Sequence, residues 1–585
     1  MGVSTITPRH VLLVQLPIPP PGPQAVRHNV PLAAGYLKLF ARKRGLENRG
    51  YQIEILPPPV ANALGDQGLV EELLSREPWL VGFTCYVWNV ERTLWIAERL
   101  KQARPELGIV LGGPEITADN QWVHDHPAVD YAVVGEGEQT FAELLERKRK
   151  AGTGEAGGGK RTDEVESSVP LSAFRFPLLL TGLDEVSSPY LEGILDAADE
   201  QVMFLETMRG CRFRCKFCYY PKGYRRVSLL SPEKIAANLR HAVERGAREV
   251  VLLDPTLNQR PDFEEFLRLL ARNNPDRQLA FFGELRAEGI DAAKAALLRA
   301  ANFSEVEIGL QSVDPRAQEL MGRKVNLKGF ERGARAMLEA GIAVRVDLIL
   351  GLPGDTADSV RRGIDYLHGS GLYSAVQVFN LSILPGTEFR REAEALGLKH
   401  QARPPYYVLQ TPTLALEEMY RLMEEAQDAF GLEYDPVGPP SLEVPENASG
   451  PVAIARIDLD QGPAELPPAT QRAQAFTLWL RSADFHSRRQ AAAALIRQVL
   501  ADNPHTTLQV ILDPTAEPER LTTRALETFL EACYSSSSYL DLYYGLHPSR
   551  LLGAKRLVVL LPHEHRARLG PGWVDQVGQY ASLWP

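Results

Sequence analysis

Over the first 150 residues, short apolar runs alternate with stretches in which apolar residues recur every three or four positions. The runs at 10–15, 51–56, 80–84, 109–112 and 131–135 predict strands, and the periodic stretches at 32–43, 69–76 and 90–103 predict helices between them. Five strands alternating with helices argue a doubly wound, flavodoxin- or Rossmann-like parallel sheet, with any ligand across the C-terminal strand ends. A glycine-rich segment at 152–159 and the polar stretch to Ser168 read as a linker. From about residue 200 the alternation restarts. Strands are predicted at 202–205, 249–253, 279–282, 306–310, 344–350 and 376–379, separated by helices such as 232–245, 262–271 and 330–340. Six βα units suit an open partial (βα)6 barrel, again with its chemistry at the C-terminal ends of the strands. A second, proline-rich linker at 434–451 leads to runs at 452–457, 508–512 and 557–561 and helices at 488–501 and 521–532. These predict a small α/β domain, expected to cap the site. The expected division is therefore 1–150, a bridging segment 151–199, 200–432 and 433–585.

Composition narrows the class without naming it. Apolar residues make up 44% and charged residues 24% of the chain, as in ordinary globular proteins. A net charge of −10 gives no nucleic-acid footprint. The run Met1-Gly2-Val3-Ser4-Thr5 leads straight into a strand-like stretch, and no apolar run approaches the length of a membrane span. Neither a signal peptide nor a membrane span is expected. A reducing cytoplasm is the expected compartment.

Three of the five cysteines, Cys211, Cys215 and Cys218, fall in the run Arg209-Gly210-Cys211-Arg212-Phe213-Arg214-Cys215-Lys216-Phe217-Cys218-Tyr219. A closed zinc site wants four ligands, and no CxxC or HxxxH partner stands nearby. A loop that alternates thiols with Arg and Lys is no core segment, and those cations are expected to lower the thiol pKa values. Three thiolates can instead ligate three irons of a 4Fe-4S cluster, leaving one iron open. The C-x3-C-x2-C spacing, the aromatic Phe217 before the last cysteine and the strand-like run just upstream resemble the radical S-adenosylmethionine (SAM) family.

That resemblance implies that the open iron chelates the amino and carboxylate groups of SAM, and that one electron cleaves SAM to a 5'-deoxyadenosyl radical. It places Phe217 near the adenine. Glu284, ending the third strand of the second set, would accept hydrogen bonds from ribose hydroxyls. Gln311 and Ser312 end the fourth strand. Gly351, opening Gly351-Leu352-Pro353-Gly354-Asp355 after the fifth, would allow close approach of adenosine. Asp254-Pro255-Thr256-Leu257-Asn258 stands where many members carry a Gly-Gly-Glu turn, a departure from the family pattern. Read one by one, each of these residues could equally be a polar cap on a strand end.

Residues 10–145 resemble the cobalamin-binding domain that precedes the barrel in one radical SAM class. The resemblance rests on the run from Val81 to Asn89, on Leu111-Gly112-Gly113-Pro114-Glu115 and on Val134-Gly135-Glu136-Gly137-Glu138. It implies Thr84 bonded to the nucleotide tail, Gly112 and Gly113 under the corrin, Gly135 and Glu136 beside it, and Tyr86, Val87 or Trp88 facing the lower side of cobalt. The Asp-x-His-x-x-Gly run that supplies a lower histidine in cobalamin mutases is absent, and His28 is the only histidine near that loop. A doubly wound domain without cofactor is the plainer alternative.

Together these resemblances imply a cobalamin-dependent radical SAM enzyme with a 4Fe-4S cluster, SAM and cobalamin. Its commonest activity is methylation of an unactivated carbon in a small-molecule, natural-product or peptide substrate, by way of the 5'-deoxyadenosyl radical and methylcobalamin. An electron donor such as flavodoxin or ferredoxin would be its partner. Ring contraction, cyclisation or polar methylation stays open, as does a non-catalytic cobalamin- or SAM-responsive module. A methylthiotransferase would carry a second cluster on three N-terminal cysteines, and only Cys85 lies there.

Overall fold

The computed structural model describes residues 8–18, 28–153, 182–220, 226–434, 438–443, 450–462, 465–516, 518–535, 538–539, 541–542, 554–561, 569 and 571–585. Most of the first expected linker, and parts of the second, lie outside these residues. Packing divides the chain into two compact units, one of residues 1–13, 30–55 and 110–434, the other of 14–29, 56–109 and 435–585.

The N-terminal sheet has the order β2-β1-β3-β4-β5, for β1 (Arg9–Gln15), β2 (Tyr51–Ile55), β3 (Leu80–Thr84), β4 (Gly108–Gly112) and β5 (Tyr131–Ala132). This is a doubly wound strand order. The helices Leu32–Lys43 and Val90–Ala103 keep the bounds that their periodicity predicts. β5 is shorter than the apolar run suggests, because the backbone turns away towards Gly135, whose φ is +86°.

In the first unit, β6 (Val202–Leu205), β7 (Glu249–Leu252), β8 (Ala280–Leu285), β9 (Phe303–Gln311), β10 (Ala343–Leu350) and β11 (Ala375–Asn380) pair in sequence order, every pair parallel. Parallel strands covered on both faces read as continuous apolar runs. These alternate instead. Val306, Ile308 and Leu310 of β9 and Val344, Val346 and Leu348 of β10 enter one hydrophobic core with the flanking helices. Glu305, Glu307, Gly309 and Gln311, with Arg345 and Asp347, occupy the intervening positions.

The second unit holds an all-parallel sheet of β12 (Val452–Asp458), β13 (Arg472–Ser482), β14 (Thr507–Pro514), β15 (Lys555–Leu560) and β16 (Ser582–Trp584), again in sequence order. The second strand of this sheet escapes prediction. Its first half, Arg472-Ala473-Gln474-Ala475, consists of helix-favouring residues, and pairing with β12 on one side and β14 on the other overrides that preference.

This domain packs on the helix Asp66–Ser75. A Cβ on Gly68 would stand 2.4 Å from the Thr470 carbonyl oxygen, so the close approach requires glycine. At the helix start, Arg92 Nε donates to Asp66 Oδ1 at 2.7 Å and the His505 backbone N–H to Oδ2 at 2.8 Å, with both side chains of the ion pair buried. Burial alone would raise the Asp66 pKa, but Arg92 and His505 together hold it well below the usual carboxylate range. A depressed folded pKa contributes stability that is present above the unfolded value, about 3.9, and is lost as the pH falls through the folded value. Asp66→Asn is therefore expected to lose about 3–5 kcal/mol at neutral pH, because it leaves Arg92 buried and unpaired. Denaturant titrations from pH 7 to pH 3 check this, and the gap between variant and wild type should narrow towards the acid end.

Candidate active site

The cysteine loop follows β6 and is gripped by the segment after β7. Asp254 Oδ1 accepts from the backbone N–H groups of Thr207 at 2.7 Å and Met208 at 2.9 Å, and Oδ2 accepts from the Thr207 hydroxyl. Burial pushes the Asp254 carboxyl up to about 7, against these hydrogen bonds. The Gln259 carboxamide spans Cys211, accepting from Arg212 N at 2.8 Å and donating to Gly210 O at 3.3 Å. The segment that departs from the Gly-Gly-Glu pattern thus fixes the backbone on both sides of the first cysteine.

Cys211, Cys215 and Cys218 line one solvent-open cavity, together with Phe217, Glu284 and Gln311. Among the described residues no three His, Cys, Asp or Glu side chains are grouped so as to hold one metal ion, so the thiols are not gathered as a single-ion site. The expected lowering of the thiol pKa values does not occur. Burial raises Cys211 and pushes Cys218 up to about 12. The cations of the loop face elsewhere: the Arg212 guanidinium lies 5.2 Å from the Phe213 ring centre, Arg214 is exposed, and Lys216 Nζ pairs with Glu392 at 2.7 Å.

The cavity also holds groups that the sequence reading missed: Glu307, Asp347 and Arg323. Glu284 and Glu307 are register partners on β8 and β9, and Asp347 stands beside Gly309 on β10. Burial, then the Glu307 charge, pushes Glu284 up to about 7; burial and Glu307 push Asp347 up to about 9. Asp347 is 7% exposed. Its Oδ1, Gln311 Oε1 and Arg323 Nε are buried with no hydrogen-bond partner among the described residues. An orphaned buried polar atom costs about 1–3 kcal/mol, and a polar ligand would remove that cost. The residues present therefore fit a hydroxyl-rich adenosyl ligand beside a thiolate-held cluster. The polar half of the alternation on β9 and β10 was the signal that could have revealed Glu307 and Asp347.

Two predicted residues are not brought to this cavity. Ser312 Oγ donates to Asp355 at 3.0 Å and accepts from Asp314 N at 3.1 Å, which makes it part of a turn. Gly351, at φ +91°, lies where a Cβ would meet Met419 Sδ at 3.1 Å, so the packing behind it explains the glycine.

Of the residues predicted around cobalamin, Thr84 ends β3, and Tyr86 stacks on Trp88 with ring centres 4.5 Å apart. In the first unit Gly112 ends β4 with open space where a Cβ would be, and Gly113 follows at φ +107°. That open space is compatible with a flat ligand. The Glu136 carboxylate is committed to protein, accepting from Arg209 Nη1 at 2.8 Å.

Residues 25–145 match the B12 binding domain, and residues 205–367 match the radical SAM superfamily. The chain thus carries a B12-binding domain followed by a radical SAM domain. The first domain implies cobalamin, the second a 4Fe-4S cluster and SAM. Among similar proteins, the cobalamin-dependent radical SAM methyltransferase TokK of Streptomyces tokunonensis is 27% identical over 63% of this chain and 56% of its own length. The 2-(S-pantetheinyl)-carbapenam-3-carboxylate methyltransferase of Streptantibioticus cattleyicolor is 26% identical over 66% of this chain and 58% of its own. This chain therefore spans less than two thirds of either relative. In fold, it resembles the radical SAM methyltransferase TsrM of Kitasatospora setae, with a TM-score of 0.53 and 19% identity over 72% of this chain and 89% of TsrM. A second TsrM structure, with cobalamin and a [4Fe-4S] cluster bound, has a TM-score of 0.50 and 20% identity over 71% of this chain and 82% of TsrM.

Cys211→Ala, Cys215→Ala and Cys218→Ala are each expected to abolish the iron-sulfur absorbance of anaerobically reconstituted protein. Gln259→Ala removes two hydrogen bonds worth about 1 kcal/mol each. It should speed loss of iron to a chelator several-fold with little change in Tm.

Proposed function

We propose that this protein is a cobalamin-dependent radical SAM methyltransferase that methylates an unactivated carbon of a small-molecule or peptide substrate. The observation that carries the reading is the union of a B12-binding domain with three cysteines lining a cavity of orphaned polar groups. Both curated relatives above are named as methyltransferases, which supports methylation over other outcomes. When bound, the cofactors supply one-electron cleavage of SAM and a carrier for a methyl group.

The chain's own residues would do the holding. Cys211, Cys215 and Cys218 would each ligate one iron. Phe217 would cover the adenine, while Glu284, Gln311 and Asp347 would bond the ribose hydroxyls. Carboxyl groups with raised pKa values are suited to this work, since the neutral form both donates and accepts. Thr84, Tyr86, Trp88, Gly112, Gly113 and Gly135 are proposed for cobalamin, each from its place at or just beyond the end of its strand. A flavodoxin- or ferredoxin-like protein would deliver the electron. No helix among the described residues is long and apolar enough to cross a membrane.

The test is the product ratio from methyl-labelled SAM with substrate. Equal S-adenosylhomocysteine and 5'-deoxyadenosine, with label in the substrate, is the expected result. S-adenosylhomocysteine alone, with label in the substrate, would indicate polar methylation. Deoxyadenosine alone, without label transfer, would indicate ring contraction or cyclisation. Asp347→Ala should raise the apparent Kd for SAM about 5- to 150-fold, for the loss of about 1–3 kcal/mol of hydrogen bonding.

A further inference from the structure

Three carboxylates converge on the guanidinium of Arg209, two residues before the first cluster cysteine. Its Nε and Nη2 donate to the two oxygens of Glu206 at 2.9 and 2.7 Å. Its Nη1 donates to Glu136 at 2.8 Å and to Glu138 at 3.1 Å. All four side chains are at most 15% exposed. Glu136 lies in the loop after β5, and Glu138 is the first residue of the helix Glu138–Thr153; both belong to the segment matched as the B12-binding domain. Tyr36 is buried beside the cluster, and burial keeps its phenol neutral, so it brings no compensating charge.

A guanidinium withdrawn from this place would leave carboxylates buried and unpaired, at high cost. The loop at 135–138 and the strand entering the cysteine loop therefore shift together or not at all. Other ties in this unit, such as the Tyr406 hydroxyl donating to Glu115 at 2.7 Å, reach segments beyond β11 rather than the residues adjoining Cys211.

We propose that Arg209 is a positioning residue that couples the cobalamin-side loop to the cluster loop, so that loading one cofactor tightens binding of the other. This rests on the cofactor reading above. Such coupling is reciprocal and typically changes an affinity roughly 5- to 150-fold.

The experiment measures the Kd of hydroxocobalamin by anaerobic equilibrium dialysis on the full chain, with and without the reconstituted cluster, for wild type, Arg209→Lys and Glu138→Gln. Wild type should bind at least about fivefold more tightly with the cluster. In both variants that ratio should fall towards one with iron content unchanged. Lysine keeps the charge but lacks the planar fork that holds both oxygens of Glu206 while Nη1 reaches Glu136 and Glu138, and Glu138→Gln loosens the latch from its far end. A wild-type ratio of one, or a ratio preserved in both variants, overturns the latch and leaves the cofactor reading standing. No cobalamin binding by wild type in either state overturns that reading and the latch with it. Should the variants lose iron, amide hydrogen exchange at residues 134–139 of wild type reads the same coupling. Slower exchange on cluster loading is expected, and unchanged exchange overturns the proposal.

Discussion

The six-stranded parallel sheet of the first unit has one constraint on which the site depends: its two faces are unlike. Every second residue of β9 and β10 is apolar and packed beneath helices, and the intervening positions carry Glu305, Glu307, Gln311, Arg345 and Asp347. The core on one face stabilises the strands, so the other face can tolerate carboxyl groups that repel one another. Of these, Glu307 and Asp347, together with Glu284 on β8, shift towards the neutral form, first of all through burial. The cavity at the C-terminal strand ends, the thiols at its wall and the orphaned polar atoms inside it all follow from that division.

The cysteine loop has little regular structure of its own, and its shape comes from outside. Asp254 fixes the two peptides entering it, and Gln259 fixes the peptides flanking Cys211. Where the family pattern has a Gly-Gly-Glu turn, this chain places the Asp254 carboxylate, and just beyond it the Gln259 carboxamide, both of which act on backbone. Orientation of ligands by groups behind them is a general feature of metal sites.

In the second unit, buried charge plays a different part. Asp66, Arg92 and His505 join residues distant in sequence, and Gly68 permits the helix beside them to lie against the Thr470 carbonyl. An ion pair buried this deeply contributes little net stability over an apolar contact, yet it is costly to break on one side only. It therefore specifies which surface the C-terminal domain accepts, more than how strongly.

The sequence by itself determined the elements and the metal chemistry. Alternation of strand and helix periods set the βα order of the first two sheets, because those periods are local properties of the chain. The clustering of three cysteines within eight residues set the candidate metal site in the same local way. The places of Glu284 and Gln311 at strand ends and of Phe217 in the cysteine loop were legible as well, and all three line the cavity. What escaped was set by partners far along the chain. The strand Arg472–Ser482 required neighbours on both sides, and Ser312 and Gly351 proved to serve turn and packing once their surroundings were known. Asp347, Glu307 and Arg209 became visible only when separate strands and loops brought them to common neighbours. A carboxylate or guanidinium has no assigned task until tertiary structure decides which charge faces it and how much water is left between them.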